Sequence, residues 1–223
     1  MAAEGGASCP TDLRVRQAVA EAAISVSVSH PNVVTTYTYL LQRLDGCGST
    51  GSVGAASTTS GASGIGATRV GECSYRYGWV AKLCDFGLSG RLEAGEQQTH
   101  LSGPARRSSA YSAPELVRAG RAGPPGDMYA VAVVMWELAL GMPLPEALAT
   151  PQGQRLRAWL AEQATADPAK AGALPPGLLS WPAHTPRAYV ELVAECLREA
   201  PAERPSAECV CERLEVMVAA CRW

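Results

Sequence analysis

Lysine is nearly missing from this chain: Lys82 and Lys170 are the only two among 19 basic residues, and the rest are arginines. There is one asparagine, Asn32, one phenylalanine, Phe86, and three histidines, His30, His100 and His184. Neither sign of charge dominates, since 19 Lys and Arg against 21 Asp and Glu leave a net charge of −2. That balance gives no electrostatic case for nucleic acid or an anionic membrane as partner. Long apolar runs are also missing. The longest, Met128 to Leu140, is interrupted by Glu137 and falls short of the roughly 20 residues that span a bilayer. The first ten residues have neither a basic n-region nor an apolar h-region, so no signal peptide is expected. Eight cysteines lie scattered among apolar residues. With nothing pointing to export they read as reduced thiols, and a cytoplasmic location is expected. Cys209, Cys211 and Cys221 fit no standard zinc spacing, and two cysteines two apart face different sides of a helix, so packing is their expected role.

The 223 residues are 47% hydrophobic, enough for the core of one domain. Thr11 or Asp12 is placed to cap a helix through Leu13, Val15, Val19, Ala20 and Ala23, ending near Ser25, ahead of His30-Pro31. Val33 to Leu41, rich in Val, Thr and Tyr, predicts a strand. From Gly46 to Ala67 nearly every residue is Gly, Ser, Ala or Thr. Such a composition buries too little apolar surface to offset its ordering entropy, so a disordered insert is expected. Trp79 to Cys84 reads as a short strand, Asp85 to Ala110 as a long polar loop, and Pro114 to Arg118 as a short helix. Asp127 is expected to cap a helix over Met128 to Leu140, stopped by Gly141 and Pro143. Its apolar residues run all round, which predicts a buried central helix. Further helices are expected over Arg155 to Ala164, from Pro186 in its first turn, and after Ser206.

Six short motifs occur in one order: His30-Pro31-Asn32, Asp85-Phe86-Gly87, Tyr111-Ser112-Ala113-Pro114-Glu115, Asp127-Met128-Tyr129, Trp136-Glu137-Leu138 and Glu203-Arg204-Pro205-Ser206. The ordered set resembles the protein-kinase family, especially the tyrosine-kinase-like branch of serine/threonine kinases. The resemblance implies an α+β, protein-kinase-like fold, mainly the helical C-lobe with a remnant of the N-lobe (helix C and one or two strands). The implied organisation is a disordered N-terminus at 1–10, an N-lobe remnant at 11–44, a low-complexity disordered insert at 45–78 and a C-lobe at 79–220, with an activation segment at 85–115 and a central helix at 127–140. The resemblance also implies ATP and Mg²⁺ as cofactors and a protein as substrate or partner.

Asp85 would be the Mg²⁺ ligand, because a hard cation takes carboxylate oxygen. Phe86 would pack under helix C, and Gly87 would let the backbone turn where a side chain would clash. Glu21 matches the helix-C glutamate that pairs with a lysine. Glu115 would form a buried ion pair with Arg204, anchoring the activation segment, and Asp127 would hold the catalytic loop. Thr99, Ser102, Ser108 and Ser109 are candidate phosphosites, with Arg106 and Arg107 nearby to pair the new charge. Solvated loop hydroxyls are an equally good reading of each.

Against this stand the missing parts. The family's catalytic loop reads His-Arg-Asp-Leu followed by an Asn, yet no histidine here precedes Arg-Asp and the one asparagine belongs to His30-Pro31-Asn32. The family's lysine precedes helix C, whereas Lys82 and Lys170 both follow it. Gly46-Cys47-Gly48-Ser49-Thr50-Gly51-Ser52-Val53 matches the kinase glycine loop letter for letter. It comes after helix C, lies in a Gly/Ser tract where such matches arise by chance, and has no helix following it. The missing parts argue against ATP binding and phosphoryl transfer by this chain. Three functional readings stand open: a serine/threonine kinase read in part, a pseudokinase-like protein-binding module, and a truncated or mis-spliced product without function. Without a catalytic loop and helix E above it, the central helix is expected to expose apolar surface, favouring aggregation or a partner.

Overall fold

The computed structural model describes residues 18–19, 21–25, 27–34, 81–101 and 109–220. The chain divides into two units, Met1–Ser89 and Gly90–Trp223. The expected N-terminal tail, most of the strand at Val33 to Leu41, the insert at 45–78, Trp79, Ser102, Arg106, Arg107 and Ser108 lie outside the described residues.

In the first unit, residues 21–25 form the helix α1. Ser25 Oγ donates back to the Glu21 carbonyl at 2.8 Å, and residue 27 is still helical. The chain then turns at His30-Pro31, where the Val33 amide donates to the His30 carbonyl at 3.0 Å. Val33 meets Leu83 in a parallel bridge. Its ladder runs from the Leu83 amide to the Asn32 carbonyl at 2.7 Å and from the Val34 amide to the Leu83 carbonyl at 2.8 Å.

The second unit is built from helices. A two-residue strand, β1 (Thr99–His100), pairs antiparallel with β2 (Arg121–Ala122). The helices in chain order are α2 (Pro114–Ala119), which packs on β2, α3 (Pro124–Leu140), α4 (Leu144–Ala149), α5 (Gln154–Thr165), α6 (Arg187–Cys196) and α7 (Ala207–Ala220). α6 packs on α3, α7 on α6, and α4 on α5. The core gathers Tyr129, Ala132, Val133 and Trp136 from α3, Leu156 from α5, and Leu192, Val193 and Cys196 from α6. Each large apolar side chain buried in this way contributes about 1.5–3 kcal/mol against its exposed state. The polar ends of the aromatics are also matched. Trp136 Nε1 donates to the Ser180 carbonyl at 2.8 Å, Tyr189 Oη to the Met135 carbonyl at 2.8 Å, and the Leu174 amide to Tyr129 Oη at 2.8 Å.

α3 corrects two expectations. It begins at Pro124, not after Asp127, with Gly123 as its cap and no side-chain capping bond. Pro124 and Pro125 lose nothing by sitting in the first turn, where amide hydrogens have no intrahelical partner, so Asp127 falls inside the helix instead of capping it. The helix is also buried on one side only. Val131 (40% exposed), Val134 (44%) and Leu138 (73%) form an apolar stripe open to solvent. It ends where expected: Gly141 adopts φ 69 and its amide reaches the Glu137 and Leu138 carbonyls, a left-handed cap suited to glycine. Pro186 caps α6 from outside it.

Candidate functional site

In the first unit the residues singled out for nucleotide chemistry are Glu21, Asp85, Phe86 and Gly87. Asp85 takes up φ 62, a left-handed conformation that an Asp tolerates because its side chain bonds its own backbone. Its Oδ1 accepts from the Gly87 amide at 3.3 Å. The positive φ of the turn falls on Asp85, and Gly87 sits where a side chain would be crowded. A Cβ at Gly87 would lie 3.0 Å from Glu21 Oε2 and 3.3 Å from Asp85 Oδ1. Glycine here makes room for two carboxylates that converge on one point. Phe86 is half-buried.

Among the described residues no Lys or Arg forms an ion pair with Glu21 or Asp85. Lys82 is exposed. Asn32 donates its side-chain amide to the Ala81 carbonyl at 3.0 Å, and its backbone amide to His30 Nδ1 at 3.0 Å. Two neighbouring carboxylates suit one edge of a magnesium shell, since Mg²⁺ takes one or two carboxylates and completes its octahedron with water and phosphate oxygens. Among the described residues no group of three or more His, Cys, Asp or Glu is placed to hold a metal ion alone.

In the second unit, Glu115 and Arg204 come together, although 89 positions separate them in the chain. Arg204 Nη1 donates to Glu115 Oε1 at 2.7 Å and Nη2 to Oε2 at 2.9 Å. The Arg204 side chain has no solvent exposure and that of Glu115 has 18%. The guanidinium also lies 5.1 Å from the centre of the Tyr129 ring, close enough for a cation–π contact. Asp127 is different: it is exposed, and among the described residues its carboxylate has no hydrogen-bond or ion-pair partner. Partial burial still raises its pKa above the ordinary carboxylate value. Tyr111 donates to Glu137 Oε1 at 2.8 Å, and the same oxygen accepts the Leu144 amide at 2.5 Å. One glutamate of the Trp136-Glu137-Leu138 motif thus ties the loop before α2 to the start of α4. Sequence reasoning gave Glu137 no role.

A model of the protein kinase domain matches residues 74–214. This chain belongs to the protein kinase family. A probable serine/threonine-protein kinase of Dictyostelium discoideum, drkA, is 29% identical over 143 residues, 61% of this chain and 18% of that protein. The serine/threonine-protein kinase PCRK1 of Arabidopsis thaliana is 37% identical over 83 residues, 37% of this chain and 19% of the relative. An EPD1-interacting receptor-like cytoplasmic serine/threonine-protein kinase, 5D, of Gossypium barbadense is 29% identical over 141 residues, 63% of this chain and 30% of the relative. The chain therefore spans less than a third of the length of these curated relatives.

The fold agrees with the family: a mainly helical C-lobe with a small N-lobe remnant. Of the candidate phosphosites, Thr99 is half-buried in β1 and Ser109 is exposed, with its hydroxyl 2.8 Å from that of Ser112. Ser102 and Ser108 lie outside the described residues. Among the described residues no helix is long and apolar enough to cross a membrane.

Proposed function

We propose that this chain is a kinase-family domain, of serine/threonine type by its relatives, that does not itself transfer phosphate. One observation carries the reading. Between Glu21 and Asp85 there is no His-Arg-Asp, and the sole asparagine, Asn32, spends its side-chain amide on the Ala81 carbonyl at 3.0 Å. The family's transfer step needs an Asp to receive the substrate proton and an Asn to hold the second Mg²⁺, and both belong in that interval. Catalysis of phosphoryl transfer is almost entirely positioning and charge stabilisation, so one metal-ligand candidate without these groups leaves the reaction without its machinery. In this proposal Asp85, with Glu21 beside it, is a residual Mg²⁺-facing edge. Glu115 and Arg204 are structural residues, and Asp127, proposed from its motif as a third, holds no partner among the described residues. Residues 11–44 and 79–220 are the N-lobe remnant and the C-lobe.

A protein-binding, pseudokinase-like role is favoured as the working activity by the solvent-facing stripe of Val131, Val134 and Leu138. Apolar surface gathered on one helix face suits protein contact more than solvent. The test is phosphate incorporation into a general protein substrate by the purified chain with Mg-ATP. The expected count equals that of Asp85→Asn. Incorporation above that background, lost in Asp85→Asn, would overturn the proposal. A Mg-ATP thermal shift abolished by Asp85→Asn would show that nucleotide binding outlives the transfer activity.

A further inference from the structure

A cavity of about 300 Å³ opens on the second unit where the end of α3, α4, the start of α5 and the segment 178–182 meet. It stands at the lower end of the range for ligand pockets, roughly 300–1,000 Å³. Its floor is Trp136 and Leu156, with 2% and 0% exposure. Its rim is Leu140, Met142, Leu178 and Trp181, each half-buried.

The hydrogen-bond account of the lining decides what chemistry fits. Trp136 Nε1 is already engaged with the Ser180 carbonyl at 2.8 Å. Thr150 Oγ1 donates to the Ala147 carbonyl at 2.7 Å and accepts the Gly153 amide at 3.1 Å. The inner wall therefore has no spare strong donor, and a polar group pushed against it would lose its water without replacement, at a cost. At the mouth the situation reverses. Gln152 is exposed, and among the described residues its side-chain amide has no partner. The Ser180 hydroxyl is likewise without one.

We propose that this cavity receives one aromatic side chain of an extended peptide segment from a protein partner. The ring lies against Trp136 and Trp181, and the peptide group that carries it meets the Gln152 amide. Two indole faces and a thioether suit a flat, polarisable group. An amide at the mouth offers both a donor and an acceptor, which is what a peptide group needs. Gln152 is the one exposed residue of the lining, so a ring entering beside it leaves its backbone outside. None of this uses Asp85 or Glu21, and the probe experiment contains neither nucleotide nor magnesium. Its outcome is therefore separate from the phosphotransfer reading.

The test uses the full chain labelled with ¹⁵N-tryptophan, titrated with indole and with N-acetyltryptophanamide. The expected result is a saturable shift of the Trp136 and Trp181 indole signals, with Trp159 unmoved. N-acetyltryptophanamide should bind several-fold more tightly than indole, and Gln152→Ala should remove that advantage. Leu178→Trp and Met142→Trp each fill the cavity from its lining, and each should weaken binding at least tenfold while the far-ultraviolet spectrum stays that of the parent. Two blocking variants keep the test alive if one fails to fold. The absence of a saturable shift, or a shift that survives blocking, overturns the site. Tighter binding of free indole than of N-acetyltryptophanamide overturns the peptide as occupant.

Discussion

Arg204 has five N–H donors, and all five are used: two on the Glu115 carboxylate and three on the carbonyls of Arg198, Pro125 and Glu199. A buried charge is stable only when paired and fully bonded, so removing either partner leaves the other stranded. Arg204→Met should therefore cost about 3–5 kcal/mol in urea unfolding. Arg204→Lys should recover only a minor part, because a point charge cannot reproduce the planar fork. Adding Glu115→Leu to Arg204→Met should cost less than the sum of the singles, since no unpaired charge then remains; additive costs would contradict the coupling. The pair was legible in the sequence because the two motifs that carry it kept their order. The role of Asp85 was only half legible. Its identity as a candidate ligand follows from its motif, but its φ of 62 and the approach of Glu21 to Gly87 are products of the chain's folding back. A second residue-scale prediction concerns thiols. Burial, then the charge of Glu195, pushes the Cys196 thiol up to about 11, and the residue has no exposed surface, whereas Cys84 and Cys211 are exposed. Only thiolate reacts with iodoacetamide. Timed alkylation read by peptide mass spectrometry should label Cys84 and Cys211 in the native chain and Cys196 only after unfolding.

At the scale of elements, α3 sets the architecture and also shows how far a pattern can be read. Its C-terminus was plain from Gly141, since few other residues accept φ 69 at a helix end. Its N-terminus was not, because Asp127 offered a ready cap and the two prolines ahead of it went unread. Prolines suit the first turn of a helix. α4 escaped notice because Gly141 and Pro143 were read as a stop and its six residues are too few to show a period. β1 and β2, two residues each, carry no alternation to find. The uniform hydrophobicity of α3 also hid its asymmetry. Sequence alone could not say which face the core takes, although the lack of a covering catalytic loop and helix E suggested an exposed side. The two sides should respond differently to change. Leu192, on α6 and fully buried against α3, should cost about 2–5 kcal/mol when replaced by Ala. Leu138→Gln, on the open stripe, should stay within about 0.5 kcal/mol and raise the concentration at which the chain aggregates. Urea midpoints and light scattering on the two variants check both statements. A large loss of stability for Leu138→Gln would mean that the stripe is covered.

For the whole molecule, the buried acids predict the direction in which pH acts on the second unit. Burial raises Tyr129 from 10.0 to about 12, with the Leu174 amide and Arg204 opposing it in part. Cys196 rises from 9.0 to about 11. Tyr111 rises to about 12, through burial first and then its hydrogen bond to Glu137. A group whose pKa is higher when folded keeps its proton longer in the native state than in the unfolded one. Above the ordinary value the unfolded chain holds fewer protons, so stability falls as pH rises. The stabilisation is complete below about pH 9 and is lost first through Cys196, between pH 9 and about 11, then through the tyrosines, between pH 10 and about 12. Two units for a fully buried group correspond to at most about 2–3 kcal/mol, so Cys196 and Tyr129 together can remove a large part of the ordinary margin of about 5–15 kcal/mol. Tyr111 is half-buried and adds less. The unfolding free energy, followed by urea titration at fixed steps from pH 8 to pH 11, should decline monotonically. Cys196→Ala should start from a lower value and decline less steeply between pH 9 and pH 10, because the titrating group is gone while Tyr129 has yet to contribute fully. A flat profile in the parent chain, or one unchanged in slope by Cys196→Ala, would show that the thiol is not held neutral by the core.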